Sequence, residues 1–262
     1  MSSLVRDLYR RRELLLILVN RNLKIRYKNS ALGFFWSLLT PVLLIVIYGV
    51  FAHILKFNKS RPDYLQFLII GIVVWQFLAM CLNDSLGVIL GNANLIKKTS
   101  FPRFILPLSM VLANLINFML TLVVLGGYLV GIHMTFGNIA ILPLVMLTQS
   151  ALCLGMSLIL STANVFFRDT EHILGVFVLA WFFLTPIFYP IEHQLALLPP
   201  RVHWLAFLNP MTGIVCGYRS VLMSDSVEFG PLTLVSCGVS WLIMVIGMFF
   251  FQYVEPRLAD EM

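Results

Sequence analysis

The fold is decided by long apolar runs such as Leu65 to Asn83, which reads LQFLIIGIVVWQFLAMCLN and contains no charged residue. At 1.5 Å of rise per residue, a helix of about 20 residues crosses the ~30 Å hydrocarbon core of a bilayer. The whole chain of 262 residues is 60% hydrophobic and only 11% charged, whereas about a quarter of the residues in a soluble domain are charged. The composition therefore predicts an all-α integral membrane protein.

Six runs of this kind divide the chain, and they predict one transmembrane domain over residues 1–262 with a six-span region over residues 35–253. The runs are Phe35 to Leu55, Leu65 to Asn83, Phe104 to Ile132, Ile139 to Phe166, His172 to Phe188 and Pro231 to Tyr253. Residues 1–33 are predicted to be a cytoplasmic interfacial region and residues 254–262 a cytoplasmic tail. Leu4 to Tyr27 mixes leucines with arginines, which favours an amphipathic helix on the membrane surface; a solvated basic tail is the alternative.

The distribution of basic residues predicts the orientation. Six spans place both termini on the same side, and with both termini in the cytoplasm 13 of the 18 Lys and Arg residues fall on cytoplasmic segments. The positive-inside rule therefore favours cytoplasmic termini. The excess positive charge also suits contact with anionic membrane lipid, whereas nucleic acid is not expected as a partner because the basic residues flank apolar spans.

The chain shows no motif for catalysis or for ATP hydrolysis. The stretch closest to a Walker A loop, Gly91 to Lys97, lacks its second glycine, and the five scattered histidines predict no metal site. Few ionisable residues fall at mid-depth in the spans, which argues against a proton-coupled transporter. Asp84 is the nearest candidate, and it is expected near the inner interface. A transporter role would therefore depend on a partner ATPase, with no cofactor or catalytic residue in this chain.

Two segments between the spans point to transport. Ala93 to Arg103 is short, apolar and basic, and it stops at Pro102, which predicts an amphipathic helix that docks on a partner or, alternatively, anchors at the membrane surface. Tyr189 to Gly230 is apolar, but prolines cut it into pieces too short to cross a bilayer. Such pieces are predicted to be re-entrant helices, which are tolerated at membrane depth only where protein covers them or where they line a cavity. A conduit needs such segments more than a simple anchor does.

Five groups of residues, in this order along the chain, resemble permeases of ABC-type polysaccharide exporters. The resemblance is closest to the O-antigen type and its teichoic-acid relatives, and weaker to the capsule branch. The groups are Arg26-Tyr27-Lys28 with Leu32 to Trp36 and Pro41, Leu95 to Lys98 with Phe101 to Arg103, Asn164 to Asp169, Leu184 to Pro190, and Asn209-Pro210 with Gly217 to Arg219.

This resemblance implies a homodimer of six-span subunits in the bacterial inner membrane, driven by two copies of a separate ABC ATPase that binds ATP and Mg. The implied cargo is a polysaccharide linked to a polyprenyl-diphosphate lipid, with the external re-entrant helices capping its path. The turn Arg168-Asp169 is a second candidate ATPase contact or an internal ion pair. The implied main contacts with the ATPase are Leu95, Lys97, Lys98, Phe101, Pro102 and Arg103. Alternatives are a drug or lipid exporter of the same fold and a non-transporting assembly protein or receptor.

Two further sets of side chains are candidates for contacts with the cargo. Basic residues just before the first span either gather the carrier diphosphate or only set the topology; they are Arg21, Lys24, Arg26 and Lys28. A row of large side chains shares one face of the fifth span, and a second pair shares a face of the first span. Their rings suit the C–H faces of sugars, although contact with lipid or with other helices is the alternative. These residues are Phe177, Trp181, Leu184 and Phe188, with Tyr189 above them, and Tyr48 with Phe51.

Overall fold

The computed structural model describes residues 11–27, 35–54, 63–98, 101–134, 136–223 and 230–259. Within these ranges every regular element is helical, so the predicted all-α class is confirmed. Short 3-10 turns at Leu90–Asn92, Ile139–Ile141, Pro200–Leu208 and Glu255–Ala259 extend or connect the helices. The α-helices are α1 (Arg12–Tyr27), α2 (Trp36–Ile54), α3 (Tyr64–Val88), α4 (Ala93–Lys98), α5 (Ile105–Gly131), α6 (Leu142–Phe166), α7 (Thr170–Leu184), α8 (Ile191–Ala196), α9 (Pro210–Leu222) and α10 (Pro231–Val254).

Four helices in the described part of the chain are long and apolar enough to cross a membrane. They are α3, α5, α6 together with the turn before it, and α10. The helix in the first predicted span, α2, has 19 residues, and the helix in the fifth, α7, has 15. The number six therefore stays a prediction.

The fifth predicted span is shorter than expected, because α7 ends at Leu184 rather than near Phe188. At 1.5 Å per residue its helix is only about 22 Å long. Thr185 has extended backbone angles (φ −91°, ψ 139°), as a residue before proline favours, and Pro186 has no N–H to continue the helix. Beyond Leu184 the chain continues without helix to Phe188, whose carbonyl oxygen accepts from the Tyr64 hydroxyl at 3.0 Å at the start of α3, and it then forms α8 and α9.

Helix α3 is the centre of the bundle. It is the most enclosed of the four spanning helices, and it contacts α2, α5, α6, α7 and α9. Beside it, α6 and α10 approach so closely that a Cβ added to Gly247 would lie 2.4 Å from the carbonyl oxygen of Gly155. Small residues permit this kind of close packing between membrane helices.

The two ends of α3 define two ends of the subunit, about 37 Å apart at 1.5 Å per residue. Near its first turn, Phe67 contacts Arg219 of α9, and this end is called the α9 end. Just after its last turn, Asn92 contacts Arg21 of α1, and this end is called the α1 end.

The N-terminal helix α1 packs along the first half of α5. Leu18 and Val19 are buried there, and the side-chain amide of Asn22 donates to the Ser109 hydroxyl at 3.2 Å. Leu16 and Ile17 lie exposed on the surface of the subunit. The helix thus carries apolar residues both toward the protein and away from it, a pattern that suits the membrane surface. The first part of the predicted amphipathic segment, residues 4–10, lies outside the described ranges.

Candidate functional site

At the α9 end, a buried arginine holds the chain where α7 ends. Arg219 is 3% exposed, and its guanidinium donates to the carbonyl oxygens of Phe67 (3.0 and 3.2 Å), Pro186 (2.6 Å) and Ile187 (2.8 Å). It also lies 3.3 Å from the centroid of the Phe67 ring. Gly71 leaves room for it, because a Cβ at that position would lie 2.7 Å from Nη2. A buried charge is costly unless it is hydrogen-bonded, and here all three nitrogens of the side chain donate.

A second set of hydrogen bonds joins α7 to the start of α9. The indole N–H of Trp181 donates to Asn209 Oδ1 at 2.8 Å, and Asn209 Nδ2 donates to the Thr185 hydroxyl oxygen at 3.1 Å. Asn209 Oδ1 also accepts from the backbone N–H of Met211 at 3.1 Å, so Asn209 is the N-cap of α9. The groups Leu184 to Pro190, Asn209-Pro210 and Gly217 to Arg219, which carry the family resemblance, therefore meet in one network.

The aromatic row predicted on α7 is divided by the fold. Phe177 is 46% exposed and Leu184 64% exposed, but Trp181 is only 9% exposed and contacts Trp75 edge-on at 5.8 Å between ring centroids. Trp181 therefore lies inside the subunit rather than in an open row with its neighbours. Its N–H requires a partner when it is buried, and Asn209 provides that partner.

The other predicted path residues have mixed surroundings. Phe188 is half-buried and packs against Phe182 at 5.2 Å between ring centroids. Tyr189 donates its hydroxyl to the carbonyl oxygen of Phe183 at 3.2 Å, and burial raises the pKa of the Tyr189 phenol above its usual range. Tyr48 and Phe51 lie in α2, but their side chains are outside what the structure describes. A role of these residues in the sugar path stays a prediction.

At the α1 end, a cavity of about 380 Å³ opens between α1, α3 and α5. The Arg21 guanidinium donates to Asn92 Oδ1 at 2.6 Å, and Asn92 is itself fixed by a 2.7 Å bond from its Nδ2 to the carbonyl oxygen of Val88. Across the cavity, Asn114 Nδ2 donates to Asp84 Oδ2 at 3.0 Å. The polar residues that line the cavity are Arg21, Asn22, Asp84, Asn92, Asn114 and Asn117.

The structure brings one of the four predicted diphosphate ligands to this cavity. Arg21 lines it, and Lys24 is exposed one turn further along α1. The Arg26 side chain and all of Lys28 fall outside the described part of the chain. Binding of a diphosphate by this set stays a prediction.

The predicted ATPase-contact segment forms a short helix and is fixed to the end of α10. In α4, Ile96 is buried while Lys97 and Lys98 are exposed. Beyond α4, the backbone N–H of Arg103 donates to Glu255 Oε1 at 2.9 Å, and the Arg103 guanidinium donates to the Glu255 carbonyl oxygen. The segment is thus tied to a helix that runs the length of the subunit.

The remaining predicted ATPase contacts are partly exposed or fully exposed. Leu95, Phe101 and Pro102 are half-buried, and Arg168 and Asp169 are exposed at the turn between α6 and α7. This placement leaves the turn accessible to a partner, and the contact itself stays a prediction.

Sequence reasoning missed Arg219, Asn209 and Glu255 as organising residues. Arg219 and Asn209 enter the sequence analysis only through the family resemblance, although an ionisable residue inside the apolar segment Met211 to Leu222 is itself a signal of a buried, paired group. No sequence pattern pairs Arg103 with Glu255, because they are 152 residues apart.

Comparison with known proteins identifies the family. Residues 13–223 match the ABC-2 type transporter family. The chain is 32% identical over 251 residues to the O-antigen export system permease protein RfbA of Klebsiella pneumoniae, covering 95% of this chain and 94% of that protein. It is 33% identical over 266 residues to the protein of the same name from Myxococcus xanthus, covering all of both chains. It is 23% identical over 253 residues to the polysialic acid transport protein KpsM of Escherichia coli, covering 92% of this chain and 93% of that one. The resemblance that the five groups of residues indicated is confirmed, and the chain belongs to the ABC-2 type transporter family of multi-pass membrane permeases.

Proposed function

We propose that this protein is the transmembrane subunit of an ABC exporter that moves a lipid-linked polysaccharide of the O-antigen type across the bacterial inner membrane. The carrier in this proposal is a polyprenyl diphosphate. The observation that carries the proposal is full-length identity of 33% to an O-antigen export permease, against 23% to a polysialic acid transporter. Similarity over the whole chain favours a shared transport task over a shared membrane anchor.

The energy source in this proposal is ATP hydrolysed by a separate subunit on the cytoplasmic side. Arg21 lies at the α1 end, Lys24 is one turn further along α1, and Lys97 and Lys98 belong to the helix that follows Asn92. All four are basic residues expected on the cytoplasmic side. Exposed Lys97 and Lys98 on α4, whose Ile96 is buried in the subunit, suit a helix that docks into a groove on a partner. The bond from Arg103 to Glu255 supplies a route from that helix to α10.

The assembly in this proposal is a homodimer with two ATPase subunits. Helix α7 presents a row of exposed apolar side chains on the surface of the subunit: Ile173, Val176, Leu179 and Phe183. Such a face requires contact with lipid or protein. In this proposal two copies related by symmetry enclose the transport path together, because one subunit of this size has too few helices to surround a polysaccharide.

The test is export in the cell of origin. Deleting the gene should remove the polysaccharide from the cell surface and leave lipid-linked chains accumulating inside. The gene should restore export only together with an active ATPase subunit. Normal surface polysaccharide in the deletion strain, with loss of export of a small drug or a simple lipid instead, would favour the alternative cargo and contradict the proposal.

A further inference from the structure

The cavity at the α1 end has the size and lining of a small-ligand site. Its volume of about 380 Å³ lies within the roughly 300–1,000 Å³ typical of such sites. Asp84, Asn114 and Asn117 contribute polar groups from α3 and α5, while Val88 and Met110 contribute apolar surface. A space of this size is large enough for a single sugar residue but not for a polysaccharide chain.

Arg21 is held at this cavity by a side-chain hydrogen bond rather than by bonds to backbone carbonyl groups. Within the described residues, its guanidinium hydrogen-bonds to the neutral side chain of Asn92, which the Val88 carbonyl holds in turn. Arg21 Nε is buried and has no hydrogen-bond partner within the described residues. A guanidinium oriented by a neutral amide keeps its charge for an anion, and its planar fork matches phosphate oxygens.

The rest of the lining does not suit an anion. Asp84 is exposed where it lines the cavity, and its carboxylate would repel a diphosphate placed against it, because like charges at short range raise the free energy of the bound state. Carboxylates accept hydrogen bonds, and carboxamides both donate and accept them. The Asp84–Asn114 pair and Asn117 therefore match a neutral group rich in hydroxyls, which can donate to the carboxylate and accept from the amides.

We propose that this cavity binds the sugar residue joined to the carrier diphosphate, with the diphosphate itself lying against Arg21. This inference rests on the proposed function, since it takes a lipid-linked polysaccharide as the substrate. It adds that the permease recognises the lipid-linked end of the chain through a hydroxyl-binding cavity, so that free polysaccharide and sugar-free carrier are both poorer ligands.

Two variants remove the sugar contacts by different means. Asp84→Asn removes the carboxylate with little change of shape. Gly87→Leu fills the cavity, because Gly87 lines it. A Cβ added at Gly87 meets nothing within 4 Å, so the leucine side chain has open space to occupy. Leucine also has a higher helix propensity than glycine. If the Asp84→Asn protein does not assemble with its ATPase subunits, the binding measured for Gly87→Leu tests the proposal by itself.

The experiment measures binding of two probes to the purified transporter with its ATPase subunits in lipid nanodiscs. One probe is a polyprenyl diphosphate bearing a single sugar, and the other is the same polyprenyl diphosphate without the sugar. Both variants should weaken binding of the sugar-bearing probe about tenfold or more, as expected for lost hydrogen bonds to a ligand. Binding of the sugar-free probe should change less than about twofold, because Arg21 remains.

Each variant has a matched control. Asn83→Ala changes the residue beside Asp84, whose side chain donates to the Ala79 carbonyl of its own helix. Gly126→Leu adds the same side chain as Gly87→Leu at another helical glycine with open space around it. Both controls should bind both probes as the unaltered protein does.

Three results would overturn the inference. Unchanged binding of the sugar-bearing probe in both variants would place the sugar elsewhere. Equal loss of both probes would show that the cavity supports the fold or the diphosphate rather than the sugar. Equal affinity of the unaltered protein for both probes would show that the sugar does not contribute to binding. If the unaltered protein binds neither probe while it still exports another cargo, the proposed function itself is wrong.

Discussion

The two ends of the subunit each contain an arginine, and the two side chains are used in opposite ways. Arg219 at the α9 end is buried and directs all three nitrogens at backbone carbonyls. Arg21 at the α1 end is half-buried, bonds to a single side-chain amide and borders a cavity. An arginine bonded to backbone carbonyls fixes the fold, whereas an arginine oriented by a neutral side chain beside a cavity remains able to bind an anion.

The two regions also differ in what they would do during transport. The α9-end network ties the end of α7 to the N-cap residue of α9 through Thr185, Asn209 and Arg219, so it fixes the shape of the segment predicted to be re-entrant. At the α1 end, by contrast, side chains of α1, α3 and α5 line the open cavity.

The largest effect is expected from Arg219→Ala. It removes the bonds to Phe67, Pro186 and Ile187 and leaves their carbonyl oxygens buried without that partner. Each buried polar group left unsatisfied costs about 1–3 kcal/mol, so the free energy of unfolding should fall by about 3 kcal/mol or more. The purified protein should show a lower melting temperature and a poor yield of assembled transporter.

Two further variants serve as comparisons for Arg219→Ala. Arg219→Lys should recover only part of the stability, because an ammonium group lacks the planar fork that serves several carbonyls at once. Arg201→Ala changes an exposed arginine of the same region and should leave the melting temperature unchanged. A stable, fully assembled Arg219→Ala protein would show that the α9-end network is not a structural anchor.

The next effect is expected from Arg21→Gln. The substitution removes the charge but keeps a side chain able to bond to Asn92, so folding and assembly should persist. Affinity for a polyprenyl-diphosphate carrier should fall about tenfold, as expected for loss of one charged hydrogen-bonding partner. Lipid binding and melting temperature are measured side by side, with Arg11→Gln, an exposed arginine just before α1, as the control. A large drop in melting temperature with unchanged carrier binding would make Arg21 a structural residue like Arg219.

A third effect separates the α1 end into a cargo part and an ATPase part. Reversing the charge of both Lys97 and Lys98 to Glu should uncouple ATP hydrolysis from export while the subunit still inserts and still binds the carrier. The reason is that both side chains are exposed on α4 and contribute nothing to the cavity. ATPase activity and surface polysaccharide are measured together, and wild-type values of both would leave α4 as a membrane-surface anchor.

The sequence predicts the architecture well and the pairings poorly. The apolar runs locate α3, α5, α6 and α10 closely because a span is a local property of about 20 residues. The network around Arg219 and the bond from Arg103 to Glu255 join residues 32 to 152 positions apart, and no periodicity encodes such pairs. The charge of Arg21 and its place before the first span predict a candidate diphosphate ligand, whereas the cavity beside it depends on how α1 packs on α5.

The smallest effect tests whether the aromatic row on α7 belongs to the fold or to the sugar path. Trp181→Phe keeps an aromatic side chain but removes the N–H that donates to Asn209 and part of a buried ring. It should lower the free energy of unfolding by about 1 kcal/mol or more, since one hydrogen bond alone typically contributes about 1 kcal/mol. Phe177→Ala removes an exposed ring on the same helix and should leave the melting temperature nearly unchanged while it slows export or alters the length of the exported chain. Melting temperatures and chain-length profiles of the two variants are compared directly. If Phe177→Ala instead destabilises the assembled transporter and exports normally, the exposed face of α7 packs against protein, and the sugar path lies on another face.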